Sequence, residues 1–490
     1  MQIYPIRPGF SVGESFDLAV QPGTRFSLAI YAQRHDENLI SAAGVALHPG
    51  GAVSAELRNG KYVFTAPGRV APARHDADWN WPTVTIKPNT PSLDSGAYVV
   101  IAYEVGANGE PLTELGKRAA AHKPIFAGPP DSDSMALVIA RPRKPSAAIA
   151  YIVPVNTYHA YNSTGGGCYY GDPIHRTQPR TQVTLRRPGG GLGAQLGEPA
   201  DPYDPCSPRQ QFTHWDAKFI RWLHAEGIAC DFYTDLDLHH GTELKLEDYR
   251  CMLSVGHHEY WSQEMRDYVS RFIAQGGNLA IFSGNTCYRP IDYADDYTSM
   301  IRLAEQWPDH DESNLIGLSY GYGGGKYGVW KRLRGGWIRR DREAIGFTVR
   351  QAEHWVFSGT SLRDGQTFGA KDRLVGYEVD GVPPVSNGFV TLADTVRLEG
   401  WDIGGAGAMG VYQPHADGGL VFNGGTTDWA RVLIDPNAQS RVVVDQITRN
   451  VVRRFIGLPP HCIAREDTVL IEAMTPPIEP DEALPDSAAV

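Results

Sequence analysis

Three short loops concentrate residue types that perform acid–base chemistry or bind metals. Tyr161 and Asn162 lie in YHAYN, His257 and Glu259 lie in GHHEYW, and Asn285 lies in GNTCYRP. Each loop follows an apolar run that is typical of a strand buried on both faces. Since ligands of an open α/β sheet bind beyond the carboxyl ends of its strands, these loops are predicted to form one functional site.

Individual residues in these loops also have simpler explanations. Glu259 precedes a predicted helix and would interact favourably with the helix dipole without any catalytic role. Alternate side chains of an extended segment point to opposite sides. His257 and Glu259 are therefore expected to face the site, whereas His258 is expected to be a hydrogen-bonded structural residue.

The chain has no HExxH motif, so a zincin-type zinc helix is unsupported. Cys287 follows a predicted strand, so a Cys–His pair with His257 remains one alternative. That alternative is a thiol-dependent, amidotransferase-like hydrolase. A second alternative is a non-enzymatic protein that binds a small ligand or a partner.

The elements around these loops predict two regions and a tail. Residues 1–135 contain short strands broken by Gly, Pro, Asn and Asp, the pattern of an antiparallel, Ig-like β-sandwich. Residues 136–465 alternate buried strands with amphipathic helices, which predicts a doubly wound, amidotransferase-like α/β domain with β-rich insertions. The fold class is therefore α/β plus all-β. Residues 466–490 are rich in Pro and acidic residues and are predicted to be disordered.

Some boundaries carry their own signals. Ser262 is a predicted N-cap of the helix SQEMRDYVSRFIAQ, which should end at Gly276 and Gly277. A second helix is predicted over 209–226 and ends at Gly227. A third helix is predicted over 442–457.

The composition limits which binding partners and which cellular location are expected. The 490 residues carry a formal net charge of −11, which argues against nucleic acid or an anionic membrane surface as the main partner. We see no signal peptide and no apolar stretch near membrane-spanning length. Six scattered cysteines fit reduced thiols better than a disulfide framework. A cytoplasmic location is expected.

Several quoted segments occur together in one family. AYN-STGGG, FTHWDAKFIRWLHAEG, DFYTDLDLH, SVGHHEYWSQEMRDYV and NLAIFSGNTCYRP, in this order, resemble the catalytic domain of the N,N-dimethylformamidase large (β) subunit. The resemblance covers roughly residues 147–460. It implies an amidohydrolase with a mononuclear, non-haem ferric iron held by two tyrosines and a glutamate, with zinc less expected.

The resemblance also implies individual roles. The iron ligands fall on Tyr161, Glu259 and a second tyrosine, for which Tyr203 is the first choice and Tyr169 or Tyr170 are alternatives. Many relatives have a tyrosine after an Arg-Pro pair, whereas Gly189 follows Arg187–Pro188 here. The catalytic residues fall on His257, Asn285 and Glu378, and the substrate pocket is expected to include Phe422 and Asn162.

The chemistry of these residues agrees with that implication. Phenolate and carboxylate are hard oxygen donors that suit ferric iron, and three protein ligands leave positions open for water and substrate. We therefore expect hydrolysis of the C–N bond of a small, N-substituted amide. His257 or Glu378 would transfer the proton, and Asn285 would stabilise the oxyanion. A small partner subunit or homo-oligomerisation is also expected.

Overall fold

The computed structural model describes residues 1–459 with gaps. The ranges left out are 35–36, 40–44, 50–52, 59–60, 71–73, 89–92, 122, 124–133, 171–178, 190–191, 193–211, 295, 326–327, 334–335, 342–344 and 399–404. Tyr203, the first choice for the second tyrosine ligand, and the predicted tail at 466–490 lie outside the described residues.

The chain up to Arg141 forms two sheets of mainly antiparallel strands. One sheet has the order β1-β3-β9-β6, and the other has the order β2-β11-β10-β4-β8-β7, with β5 paired to β4. The strands and one helix are β1 (Ile3–Pro5), β2 (Gly9–Ser11), β3 (Phe16–Val20), β4 (Thr24–Gln33), β5 (Glu37–Leu39), β6 (Val45–Pro49), β7 (Ser54–Arg58), β8 (Lys61–Ala66), β9 (Thr83–Pro88), β10 (Gly96–Glu104), α1 (Glu114–Ala120) and β11 (Met135–Arg141).

The larger of these two sheets is buried on both faces at its centre. In β10, Tyr98 and Val100 pack with the smaller sheet, whereas Val99 and Ile101 belong to the core that contains the following α/β region. This explains the apolar run AYVVIAY, because adjacent residues of a strand point to opposite faces. The predicted boundary at residues 135 and 136 falls at the start of β11, which pairs along its length with β10.

The α/β region begins after a short connection. Its first half comprises β12 (Ile149–Val153), α2 (Val155–Ala160), β13 (Gln182–Thr184), α3 (Asp216–Ala225), β14 (Asp231–Thr234), α4 (Asp235–His240), β15 (Cys251–Gly256), β16 (Tyr260–Trp261), α5 (Gln263–Ala274), β17 (Asn278–Ser283), β18 (Arg289–Tyr293) and β19 (Ser299–Arg302). Its second half comprises α6 (Ser313–Ile316), β20 (Ser319–Gly325), β21 (Gly328–Leu333), β22 (Gly336–Asp341), β23 (Phe347–Val349), β24 (Thr367–Phe368), β25 (Glu378–Gly381), β26 (Val390–Asp394), β27 (Ala408–Tyr412), β28 (Val421–Asn423), α7 (Trp429–Ile434) and α8 (Arg441–Phe455).

One central sheet organises this region. Its order is β14-β12-β15-β17-β28-β27-β26-β23-β24. The pairs from β14 to β28 are parallel, and the pairs from β28 to β24 are antiparallel. Helices α3, α7 and α8 share a core with one face, while α4 and α5 pack on the other. The continuous apolar runs of β12, β15 and β17 follow from burial on both faces.

Local signals located several helices well. Ser262 caps α5, and its hydroxyl accepts a hydrogen bond from the Met265 backbone N–H. Helix α3 lies inside its predicted range, and α8 begins one residue before the predicted start. No helix in the described part of the chain is long and apolar enough to cross a membrane.

The mixed α/β class is confirmed, and β-strands are abundant in the N-terminal region and in the second half of the α/β region. The Ig-like and amidotransferase-like assignments remain predictions. Two smaller sheets lie beside the carboxyl edge of the central sheet. One has the order β13-β19-β18-β16, and the other is the pair β20-β25.

Candidate active site

The three sequence-predicted loops leave neighbouring parallel strands at the same edge. Tyr161 follows α2, which begins just after β12. His257 and Glu259 follow β15, and Asn285 follows β17. Because β12, β15 and β17 are adjacent and parallel, their carboxyl ends bring these side chains together.

Gly256 makes the turn out of β15 possible. Its φ of +71° is unfavourable for residues with a side chain, and an added Cβ would lie 2.4 Å from the Cβ of Trp215. The glycine therefore lets the chain turn against the indole. That turn places His257 at the start of the loop.

Two tyrosine hydroxyl groups, those of Tyr161 and Tyr170, meet at the carboxyl group of Glu259. The Tyr161 hydroxyl donates to Glu259 Oε2 at 2.9 Å, and the Tyr170 hydroxyl donates to Glu259 Oε1 at 3.0 Å. The two hydroxyl oxygens are 3.1 Å apart, and the two rings stack with centroids 4.5 Å apart. Glu259 is fully buried.

This arrangement fits the donor set of a hard cation. Metal–oxygen bonds of about 2.0–2.2 Å place adjacent ligand oxygens roughly 3 Å apart, which is the spacing seen here. Burial, followed by the charge of Glu259, raises the pKa of Tyr161 and of Tyr170 above the ordinary tyrosine value. With protein groups alone, the phenols keep their protons and donate to Glu259. A trivalent cation would supply the charge that stabilises both phenolates.

His257 connects this cluster to a second carboxyl group. Its Nε2 lies 2.7 Å from Glu378 Oε2 and 3.2 Å from Glu259 Oε2. Burial opposes the charged imidazolium, but the charges of Glu378 and Glu259 outweigh it, and the pKa of His257 is raised. Two carboxyl groups and one imidazole can therefore hold and exchange a proton within a buried site.

Asn285 completes this part of the cluster. Its side-chain Nδ2 donates to Glu378 Oε2 at 3.2 Å, and its backbone N–H donates to Asp380 Oδ1 at 2.7 Å. Its φ of +53° lies in the left-handed region, which asparagine tolerates better than most residues. Asp380 thus holds the backbone of Asn285 in an unusual conformation, which directs the side-chain amide of Asn285 toward Glu378. Burial raises the pKa of Asp380 to about 7.

His258 has the structural role expected of it. Its Nδ1 lies 2.9 Å from the Ser254 hydroxyl, and its Nε2 lies 2.6 Å from Asp235 Oδ1. Both ring nitrogens have partners inside the fold. Within the described ranges, no group of three or more His, Cys, Asp or Glu side chains could hold a metal ion.

Asn162 and Phe422, the two residues predicted to line the substrate pocket, make contacts within the fold. Asn162 holds a turn, because its Nδ2 donates to Pro188 O and its Oδ1 accepts from Thr164 N. The ring of Phe422 packs on Phe282 and Trp429. No contact described here joins Asn162 or Phe422 to Glu259.

Cys287 also lacks the features of a nucleophile. It is fully buried, and burial raises the pKa of its thiol. Reactive cysteines need the opposite shift and access to substrate. This environment disfavours the thiol-dependent alternative.

Two further residues at the site have no role predicted from the sequence. Arg289 Nε donates to Glu259 Oε1 at 3.0 Å, and the Tyr260 hydroxyl contacts the Tyr170 hydroxyl. Both belong to the quoted motifs GHHEYW and GNTCYRP. Their presence in these polar and charged loops was the signal available from the sequence. The spacing of residues along the chain did not reveal that the two loops pair with each other.

Comparison with known proteins adds one positive finding. A family model described as N,N-dimethylformamidase beta subunit-like, C-terminal, matches residues 50–440. The matched range contains every described residue of the cluster and begins within the N-terminal sheets. The comparison with curated proteins gave no match.

Proposed function

The chain belongs to the N,N-dimethylformamidase beta subunit-like family, and on this premise we propose that it hydrolyses the C–N bond of a small, N-substituted amide. The observation that carries the proposal is the contact between two groups of residues. Glu259 receives both tyrosine hydroxyls and also lies within 3.2 Å of His257 Nε2. A metal-binding donor set and a proton-transfer pair therefore meet at one carboxyl group.

We propose Tyr161, Tyr170 and Glu259 as the residues that hold a mononuclear ferric ion. Tyr170 replaces Tyr203 as our choice for the second tyrosine, because its hydroxyl is the one that meets Tyr161 and Glu259. When bound there, the ion would supply Lewis acidity to the amide carbonyl. Two phenolates and one carboxylate would balance its charge.

The proton chemistry belongs to His257 and Glu378. The 2.7 Å contact between them lets the pair accept a proton from the attacking water and return it to the nitrogen of the leaving amine. A C–O bond forms, the C–N bond breaks, and the products are a carboxylic acid and an amine. Burial of both side chains excludes bulk water from this exchange.

Asn285 is proposed to stabilise the charge that develops on the carbonyl oxygen. One N–H of its side chain donates to Glu378, which leaves the second N–H for the oxyanion. A donor of this kind is often worth about 2.7–4 kcal/mol in the transition state. Asp380 contributes indirectly, because it fixes the backbone of Asn285.

A small partner subunit is also proposed, because the family is described as beta subunit-like. Homo-oligomerisation is a compatible proposal. Neither partner is needed to assemble the contacts of Glu259 described above.

A matched pair of variants tests the proposed function. The full chain is purified without chelator, loaded with ferrous iron in air, and assayed for iron content and for amine released from N-substituted formamides. Wild type should retain equimolar iron and release amine. Glu259→Gln should lose both, whereas Glu264→Gln, at an exposed carboxyl group in the first turn of α5, should keep both. Amine release by metal-free wild type, or full iron in Glu259→Gln, would contradict the proposal.

A further inference from the structure

A second layer of hydrogen-bond donors lies behind the candidate ligands. The Tyr260 hydroxyl contacts the Tyr170 hydroxyl, and Arg289 Nε donates to Glu259 Oε1 at 3.0 Å. Tyr260 is completely buried. The side chain of Arg289 is 16% exposed and also pairs with Glu305.

The backbone fixes these two donors relative to each other. Tyr260 and Arg289 are register partners in the parallel pairing of β16 with β18. The Arg289 backbone N–H also donates to Glu259 O at 3.0 Å. One short strand pair therefore places a phenol behind Tyr170 and a guanidinium beside Glu259. Side chains on a strand pair are held more rigidly than side chains on a free loop.

We propose that Tyr260 and Arg289 are positioning residues that orient Tyr170 and Glu259 and tune how strongly they donate electrons to a bound cation. This inference rests on the proposed function, because it requires Tyr170 and Glu259 to be ligands. It adds residues that lie outside the donor set itself.

The direction of the effect follows from hydrogen-bond chemistry. A phenolate has no hydrogen to give, so the contact between Tyr170 as a ligand and Tyr260 requires Tyr260 to donate. Donation withdraws electron density from the phenolate oxygen, and Arg289, which is always charged, does the same to the carboxylate. Outer residues of this kind orient ligands and adjust the metal. Loss of the Tyr260 hydroxyl should therefore make Tyr170 a stronger electron donor and move its charge-transfer band to longer wavelength.

Tyr169 provides a matched control in the same cluster. Its ring centroid lies 5.4 Å from that of Tyr260, and it is equally buried. Its hydroxyl has no hydrogen-bond partner in the described part of the chain. A phenylalanine at either position removes one buried hydroxyl and keeps the ring. Only the change at Tyr260 removes a contact with a proposed ligand.

The experiment compares visible spectra and iron content of wild type, Tyr260→Phe and Tyr169→Phe in the full chain. Tyr260→Phe should bind equimolar iron with its phenolate-to-iron band at longer wavelength, while Tyr169→Phe should match wild type. Identical spectra for both variants would overturn the inference and leave the proposed function intact. Loss of the band in Tyr169→Phe would identify Tyr169 as a ligand and also overturn it.

A further variant keeps the test decisive if Tyr260→Phe does not fold. Arg289→Lys retains a positive charge but loses the Nε donor, so it should release iron to a chelator about 10-fold more readily than wild type. Unchanged release would overturn the inference. Absence of iron and colour in wild type would instead contradict the proposed function, which makes the two failures distinguishable.

Discussion

Tyr161 and Tyr170, nine positions apart in the chain, lie with their hydroxyl oxygens 3.1 Å apart and their rings stacked. The intervening segment turns back on itself through Gly165 and Gly166, both with positive φ. The Tyr169 backbone N–H then donates to Ala160 O at 3.0 Å. The pair is therefore built by a local loop at the end of α2.

Tyr170→Phe tests which tyrosine completes the donor set. The substitution keeps the stacked ring and removes one oxygen, so iron content should fall together with activity. We expect a loss of at least about 100-fold in iron affinity, since outer residues alone account for 10–100-fold. Iron analysis after dialysis against a chelator measures it. Full iron retention in Tyr170→Phe would return the second ligand to Tyr203 or Tyr169.

Asn285→Ala should separate catalysis from metal binding. Asn285 contacts Glu378 and none of the three proposed ligands in the contacts described, so iron should be retained. The loss of an oxyanion donor should lower kcat about 100- to 1,000-fold. Thr286→Val is the control, because the adjacent hydroxyl has no partner among the described residues. A variant with normal kcat would remove Asn285 from the mechanism.

Arg187 should be important for the stability of the tyrosine loop. The fully buried guanidinium donates to three backbone carbonyls, those of His159, Thr164 and Gly167. Arg187→Met would remove all three of these hydrogen bonds, at about 1–3 kcal/mol for each buried carbonyl that finds no other donor. His159 O would keep its hydrogen bond from the Asn162 backbone N–H at 3.3 Å. We expect a clear fall in Tm and in iron retention.

Arg186→Met is the matched control for this prediction. Its guanidinium pairs with Asp78 at 2.9 Å and donates to one backbone carbonyl, Ile6 O, at 3.2 Å, and the Arg186 and Asp78 side chains are partly exposed. Such a pair contributes about 0–1 kcal/mol. Equal melting temperatures for the two variants would show that Arg187 does not hold the loop.

Asp216 should make stability depend on pH. It is buried and accepts hydrogen bonds from Tyr151 and Tyr158, and burial raises its pKa from 3.8 to about 7. The native state therefore binds this proton more tightly than the unfolded state. The stability that the proton provides is complete below the unfolded pKa and is lost as pH rises through about 7.

Asp216→Asn removes that titration. Between pH 5 and 6.5 the stability of wild type relative to the variant should fall by about 1 kcal/mol per pH unit. Thermal melts of both proteins across this range measure the difference. Asp267→Asn, on the exposed surface of α5, is the control. A constant difference between wild type and Asp216→Asn would refute the assignment.

The location of the site was predictable, but its full composition was not. Continuous apolar runs identified β12, β15 and β17 as buried strands, and parallel topology then placed the loops after them at one edge. The pairing of β16 with β18 joins two of those loops. Two- and five-residue strands give no periodic signal that would predict such a pairing.

The second tyrosine illustrates the same limit. The choice of Tyr203 rests on its position before the same helix as in the family and on its distance along the chain from Tyr161. Distance along the chain cannot account for a loop that folds back. Tyr170 meets Tyr161 because of glycine turns and a buried arginine, and these contacts depend on three-dimensional packing. Phe422 was chosen from a loose motif, and its ring packs on Phe282 and Trp429.

The sheet that contains β10 joins the N-terminal region to the α/β region through a shared core. Val99 and Ile101 share a core with Tyr151 and Leu253 of the central sheet. Each region therefore has buried apolar side chains where the two regions meet. Separation after Arg141 would expose an apolar face on each fragment. The two regions therefore have to be exchanged, fused or recombined as a single module, and chimaeras with related enzymes should keep them together.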